Sequence, residues 1–523
     1  MLSIKRISSL LPIVLTLVTA VPGRIISPTA PACSAESIPA PEVFGAEVLS
    51  LVASPVENYQ GNLSFCNVTV LYTHPGQNDR INVFLWLPLT TWNGRLAGSG
   101  GGGWSMRSPD FVLAGLATQG YAVVATDGGH DWINSRPGPW GVAGPGNIDF
   151  YALNNFASVT LEDAGIIGKA ISTSFYGMAP RYSYWSGCST GGRQGLMIAQ
   201  RYPNLYDGII ATAPAINWAK FIVAEYWPQF TMNQLKTYPP QCELSAITSL
   251  AVQACDALDG VTDGIVADPL NCTFDPFSVV GQPTACPGTN LTISSAAAAI
   301  VNESWTGPRL TNGAFAWYGL EPGSPLSGLV GTVCAANGTC SGQPFPVPVD
   351  WVRYFVTRRP DFDLGALTPE EYDAIFLRSA NEFTSIISAD DPDLTLFKRG
   401  GGKMITWHGL ADELIPPEGS TNYYERVKAK DADVEDYYRY FRAPGVGHCR
   451  GGVGPVPTRE LDQLVQWVEG GVAPETLDAK VVRLEQGTNV TREWGLCPWP
   501  LVTAYRGGDA TSKASYECRE SFQ

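Results

Sequence analysis

The chain has 523 residues, 45% of them hydrophobic and 16% charged, which is enough apolar material for a sizeable core and argues against an intrinsically disordered protein. A formal charge of −15 at pH 7 argues against nucleic acid as a partner, since a polyanion is repelled rather than steered in. The length admits two or more domains, or one large domain carrying an insertion.

At the N-terminus, Lys5 and Arg6 precede the apolar run Leu10 to Val18, and Val18-Thr19-Ala20 has the small-residue character of a cleavage site. Residues 1–20 therefore read as a secretory signal peptide, set apart from the fold. No later stretch approaches the ~20 apolar residues of a membrane span, so a secreted, extracellular protein with no membrane partner is expected. Twelve cysteines, an even number, allow up to six disulfides. Sequons at Asn62, Asn67, Asn271, Asn290, Asn302, Asn337 and Asn489 offer glycosylation sites.

A proline-containing lead-in runs from Cys33 to about Pro55, after which Asn67 to Tyr72 and Ile81 to Leu87 have the pattern of paired strands. Trp92-Asn93-Gly94-Arg95 predicts a turn, followed by a dense glycine run through Gly100-Gly101-Gly102-Gly103. No Lys-Ser/Thr follows at phosphate-loop spacing, so this run suits a loop whose backbone lies against a substrate oxygen. A helix is predicted from Phe111 to Gln119, a buried strand from Tyr121 to Asp127, and a helix from Thr160 to Ser174. The aromatic strand Tyr182 to Ser186, a helix from Arg193 to Tyr202 and a strand from Asp207 to Pro214 continue the alternation, which predicts a mostly parallel α/β sheet.

From Trp218 to Phe397 the alternation stops. Six cysteines, four sequons and many prolines mark residues 218–397 as an inserted second domain. The sheet pattern resumes at Lys403 to His408 and Tyr437 to Arg442, followed by a helix from Arg459 to Val468 and a cysteine-clamped tail. The catalytic unit is thus expected in residues 21–217 and 398–523.

Gly187-Cys188-Ser189-Thr190-Gly191 stands between a strand and a helix and is the single G-x-S-x-G of the chain. Glycines two residues either side of Ser189 permit the strained turn that lifts a nucleophilic hydroxyl above a sheet edge. In such folds the order is Ser, acid, His. Of the four histidines, at 74, 130, 408 and 448, only two follow Ser189. His408 sits in or at the end of a strand, so His448, in the loop Pro444 to Cys449, is the general base by elimination. Asp412 follows the strand that ends at His408 and is the expected orienting acid, with Glu413 the competing carboxylate. The oxyanion hole is expected from the N–H of Thr190 and one N–H of the glycine loop, with Gly102 and Gly103 as candidates.

Cys188 precedes Ser189 and Cys449 follows His448, so bringing nucleophile to base brings these sulfurs within bridging distance; two unrelated structural cysteines are the alternative. Inside the insertion, Cys255-Asp256-Ala257-Leu258-Asp259-Gly260-Val261-Thr262-Asp263-Gly264-Ile265 interleaves aspartates with glycines, and the Val261 and Ile265 carbonyls can fill gaps, which suits Ca²⁺. It is not an EF-hand loop, lacking a Glu at the twelfth position. An acidic solvated turn is the other reading, and Cys255–Cys272 closes the loop in either. Cys33, Cys66, Cys497 and Cys518 are further disulfide candidates, Cys334–Cys340 is paired by proximity, and the remaining partners in the insertion are open.

These motifs together resemble the tannase and feruloyl esterase family of secreted fungal hydrolases. The resemblance runs over nearly the whole mature chain, through Trp92-Asn93-Gly94-Arg95, Gly187-Cys188-Ser189-Thr190-Gly191-Gly192, Cys255-Asp256-Ala257-Leu258-Asp259-Gly260, His408-Gly409-Leu410-Ala411-Asp412 and Gly447-His448-Cys449. It implies an α/β-hydrolase fold with a large inserted lid domain, a Ser189–Asp412–His448 triad and a Cys188–Cys449 bridge. It also implies structural calcium in the lid on Asp256, Asp259, Asp263 and the carbonyls of Val261 and Ile265, with no organic cofactor. The implied substrates are aromatic-acid esters on plant polysaccharides or polyphenols, hydroxycinnamate esters ahead of galloyl esters, and the protein is expected as a monomer or homodimer. A secreted peptidase is the enzyme rival; a catalytically dead binding protein is disfavoured by the complete Ser, Asp, His set. Trp305, Trp317, Trp351, Tyr354 and Phe355 are candidates for an aromatic wall against the acyl ring, with ordinary core packing as their other reading.

Overall fold

The computed structural model describes residues 32–131, 135–287, 290–485 and 488–522; the segment read as a signal peptide lies outside them. Nine strands form one sheet: β1 (Glu47–Tyr59), β2 (Leu63–Thr73), β3 (Ile81–Pro88), β4 (Arg95–Ser99), β5 (Ala122–Thr126), β6 (Tyr182–Cys188), β7 (Gly208–Thr212), β8 (Lys403–Gly409) and β9 (Tyr438–Ala443). Their order across the sheet is β1-β2-β3-β5-β4-β6-β7-β8-β9. Pairing is antiparallel from β1 to β5 and parallel from β5 to β9. Strands β5 and β7 are buried along their whole length, which is why they read as unbroken apolar runs.

The sheet is covered on both faces. Helices α1 (Asp110–Thr118) and α6 (Glu460–Gly470) place Leu113, Ala117, Leu464 and Trp467 against one side. Helix α2 (Thr160–Tyr176) places Ala164, Ile167 and Ile171 against the other, where α3 (Thr190–Arg201) also buries Leu196 to Ala199. Strand β1 is the element the lead-in reading stops short of: it runs through Pro55, which an edge strand tolerates because one side of its ladder is unpaired.

Between β7 and β8 the chain leaves the sheet for the predicted insertion, which is mostly helical apart from the short hairpin Thr332–Cys334 with Cys340–Gly342. Helix α4 (Trp218–Ala224) and helix α5 (Pro369–Ile387) share the main core with Phe156 and Leu196, while Leu244, Ile247, Ile300 and Leu329 form a cluster within the insertion. The start of α5 is fixed by a capping box between Thr368 and Glu371, with Pro369 in the first turn. Arg193 of α3 is fully buried and donates to the carbonyls of Phe156 (3.1 Å), Ala157 (2.9 Å) and Ile387 (3.3 Å), tying the sheet helices to the end of α5.

All twelve cysteines are paired: Cys33–Cys66, Cys188–Cys449, Cys242–Cys286, Cys255–Cys272, Cys334–Cys340 and Cys497–Cys518. Cys242–Cys286 supplies the pairing left open by the sequence. Among the described residues, no helix is long and apolar enough to cross a membrane.

Candidate active site

At the end of β6 the backbone turns sharply. Ser189 has φ 63° and ψ −121°, a conformation that costs a non-glycine residue free energy and persists only where its surroundings hold it. Its N–H donates to Thr212 O at 3.0 Å, and the Gly191 N–H donates to Gly101 O at 2.8 Å. A Cβ on Gly187 would lie 2.5 Å from Gly191 O, and one on Gly191 would lie 3.0 Å from Gly101 O. Both glycines of the motif are therefore required by close backbone approach. Helix α3 starts at Thr190, so the positive end of its dipole faces the Ser189 hydroxyl.

The glycine loop is clamped to this helix start. A Cβ on Gly100 would meet Gln194 Oε1 at 2.3 Å and Gly191 Cα at 2.6 Å. Thr190 Oγ1 donates to Gly103 O at 2.7 Å, and the Gly101 N–H donates to Gln194 Oε1 at 3.2 Å. With Gly101 committed, Gly102 and Gly103 are the loop's candidate donors beside the Thr190 N–H. All three line the same cavity as Ser189 and His448.

The turn after β8 brings Asp412 back beneath the loop that carries His448. The fully buried Asp412 accepts His448 Nδ1 at 2.8 Å and His408 Nε2 at 3.0 Å on Oδ2, and the N–H groups of Leu414 and Ile415 at 2.9 Å each on Oδ1. Burial alone would raise its pKa, but the His448 charge and the hydrogen bonds from both imidazoles outweigh this and hold the carboxyl well below the usual range. For His448 burial disfavours the cation, yet the Asp412 carboxylate and its hydrogen bond win and raise its pKa above the ordinary value. Glu413 takes a different place: its Oε2 accepts the backbone N–H of His448 at 3.0 Å. His408, at the end of β8, is a second donor to Asp412 and is itself held by Ser420 Oγ at 2.8 Å. The four-residue step from His408 to Asp412 was the available signal. The Cys188–Cys449 bridge joins the elbow to the His448 loop with its Cα atoms 5.8 Å apart.

The cavity has a volume of about 550 Å³, within the usual range for small-molecule sites. Trp218, Phe221 and Ile222 of α4 form one wall, with Phe345, Val347 and Leu414 beside them. At the mouth Arg450 lies over the exposed Phe111 ring, 5.5 Å from its centroid. Trp305, Trp317, Trp351, Tyr354 and Phe355 are not among the lining residues, so the aromatic-wall expectation is corrected. Trp351 and Phe355 instead pack in the core around Trp104, where burying whole rings contributes more than lining a cleft.

The aspartate-rich loop is not a solvated turn. Asp256 and Asp259 are buried, and the Asp256 carboxylate accepts the N–H groups of Asp263 (3.1 Å), Gly264 (3.0 Å) and Ile265 (3.2 Å). Asp259 is pushed up to about 6 by burial and by its neighbours Asp263 and Asp256. Asp263 faces Arg492 at 3.5 Å, and its buried Oδ2 has no hydrogen-bond partner among the described residues. An all-oxygen donor set under mutual repulsion fits a hard divalent cation in kind. The oxygens of the three carboxylates do not all approach within 4.8 Å of one another, so the set is not closed around a point.

Known proteins resemble this chain over most of its length. Residues 66–519 match the family model described as tannase and feruloyl esterase. A "Probable feruloyl esterase" of Arthroderma benhamiae is 39% identical over 503 residues, spanning 93% of each chain, and a "Probable feruloyl esterase B-2" of Aspergillus terreus is 31% identical over 84% of each. Among solved structures, the tannin acyl hydrolase from Aspergillus niger superimposes with a TM-score of 0.84 at 28% identity, covering 93% of this chain and 95% of its own. Feruloyl esterase B from Aspergillus oryzae gives 0.75 at 26% identity over 91% and 97%. An α/β-hydrolase sheet with a serine elbow, matched by a family model over most of its length, makes this chain a member of the tannase and feruloyl esterase family of carboxylic ester hydrolases.

Proposed function

We propose that the protein is a secreted serine esterase that releases hydroxycinnamic acids from plant cell-wall polysaccharides through an acyl-enzyme on Ser189. The observation that carries this reading is the 2.8 Å contact of Asp412 with His448 Nδ1 beside an apolar cavity shared by Ser189 and His448. With Nδ1–H committed to Asp412, Nε2 is the nitrogen that accepts the Ser189 proton as Oγ attacks the ester carbonyl. The oxyanion is stabilised by the N–H of Thr190 and one of Gly102 or Gly103. The same proton passes to the leaving alkoxide, the alcohol departs, and water activated by His448 then releases the aromatic acid and restores the serine. Six disulfides fit an extracellular setting.

Residues 218–397 act as a lid whose α4 face forms the acyl wall. Asp256, Asp259, Asp263 and the Val261 and Ile265 carbonyls would hold a structural Ca²⁺, which would draw these oxygens together and neutralise the buried carboxylates. Ile265 stands behind the His448 loop, 3.1 Å from where a Gly445 Cβ would be, so ordering this loop would support the segment that carries His448. The sequon residues Asn62, Asn271, Asn290, Asn337 and Asn489 are exposed and Asn67 and Asn302 partly so, which suits glycan attachment. Galloyl esters are the second substrate reading, favoured by the similarity to the tannin acyl hydrolase.

Initial rates on methyl ferulate, methyl caffeate and methyl gallate, with wild type beside Ser189→Ala, test the proposal. Cinnamate-ester turnover that falls about 10⁴-fold or more in the variant is expected. Gallate preference would move the assignment to tannase; full activity in the variant would overturn the nucleophile.

A further inference from the structure

Helix α4 presents Trp218, Phe221 and Ile222 to the cavity, and the residue at its C-terminus, Glu225, falls seven positions after Trp218 on the same face. The side chains of this face are apolar except for the last. Glu225 lines the cavity, is 3% exposed, and its Oε2 has no hydrogen-bond partner among the described residues. A buried carboxyl oxygen without a partner carries a free-energy penalty, so it calls for an explanation. Among the described residues no Lys or Arg is paired with it, and Arg450, which also lines this cavity, is exposed at the mouth over Phe111.

The geometry points to Glu225 as the residue that selects oxygenated acyl rings, its neutral carboxyl group hydrogen-bonding a ring hydroxyl of the phenolic acid held against Trp218, Phe221 and Ile222. This rests on the esterase reading above and adds the group that distinguishes a phenolic acid from an unsubstituted aromatic acid. Burial, reinforced by the Asp412 charge, raises the Glu225 pKa well above the ordinary value, so the carboxyl is an O–H donor rather than an anion. A phenolic oxygen satisfies that donor, and the carboxyl carbonyl oxygen accepts the phenol proton in return. An acyl ring lacking the hydroxyl leaves the carboxyl unpaired, which is the arrangement that gives strong discrimination.

The test is the ratio of kcat/KM for methyl 4-hydroxycinnamate to that for methyl cinnamate, in wild type, Glu225→Leu and Glu225→Gln. The ratio is independent of the fraction of active enzyme. A fall of about tenfold or more in Glu225→Leu is expected, with Glu225→Gln within about threefold of wild type because its amide also donates and accepts. Glu225→Met supplies the same ratio should the leucine variant not fold. An unchanged ratio in the apolar variants overturns the assignment while leaving the esterase reading intact. A wild type that cleaves neither ester overturns the esterase reading and this inference with it.

Discussion

Asp412 and Glu225 are two buried carboxyl groups at one cavity, the first beneath the base and the second on the acyl wall, and they are driven to opposite protonation states. Burial raises the pKa of both. Asp412 overcomes it with two imidazoles and two backbone N–H groups, whereas Glu225 has Asp412's own charge added to the penalty. Neighbouring charge and hydrogen-bond supply, rather than depth, decide which of two buried acids is an anion. The site thereby holds one fixed negative charge where an imidazolium forms and one neutral donor where the substrate carries oxygen, a division that lets both carboxyls serve one reaction.

The most severe way to break this contrast is Asp412→Asn. Losing the anion is expected to lower kcat by about 10⁴-fold. It also removes the charge that raises His448, so the acidic limb of the kcat/KM profile, which needs neutral His448 and should lie above pH 6.5 in wild type, moves to lower pH. A limb that stays in place would mean that another group sets it. Next in size is His408→Gln: losing its hydrogen bond to Asp412 should cost about 10–100-fold in kcat/KM, read from steady-state rates. An unchanged kcat/KM would show that the His448 contact and the two N–H groups suffice.

Glu225→Gln sharpens the other half through stability. A carboxyl whose pKa is raised on folding keeps its proton in the folded chain while the unfolded chain releases it, so stability falls as pH rises above the unfolded value of 4.5. The variant lacks that loss, and its stability relative to wild type should rise as pH climbs above 4.5, by up to ~1.4 kcal/mol per pH unit. A constant difference would mean an ordinary, ionised glutamate. The smallest expected effect is a few degrees' fall in Tm when a chelator is added, reversed by Ca²⁺ and abolished in Asp263→Asn, measured by scanning calorimetry. No change with chelator would remove the ion from the account of Asp256, Asp259 and Asp263.

The legible part of the site is the part whose geometry demands particular residues locally. Ser189 can adopt a positive φ only with Gly187 and Gly191 beside it, so the elbow is written in adjacent letters. His448 and Asp412 followed from chain order and loop position. Glu225 left no such mark, because a helical face bearing Trp218, Phe221 and Ile222 reads identically whether it meets a core or a cavity. For the same reason lid aromatics such as Trp351, which the fold uses as core, read in the sequence as candidates for the acyl wall. Strand β1 was hidden by Pro55, whose edge position cannot be seen without the neighbouring strand, and Cys242–Cys286 depends on folding within the insertion that spacing does not encode.

The most direct single measurement is to react the enzyme with methyl ferulate, quench in acid within the first turnover and map the peptides by mass spectrometry. A feruloyl group on the peptide containing Ser189, absent from Ser189→Ala, is the expected result. Product release with no adduct at Ser189 at any quench time, or an adduct on another residue, would contradict acyl transfer through this elbow.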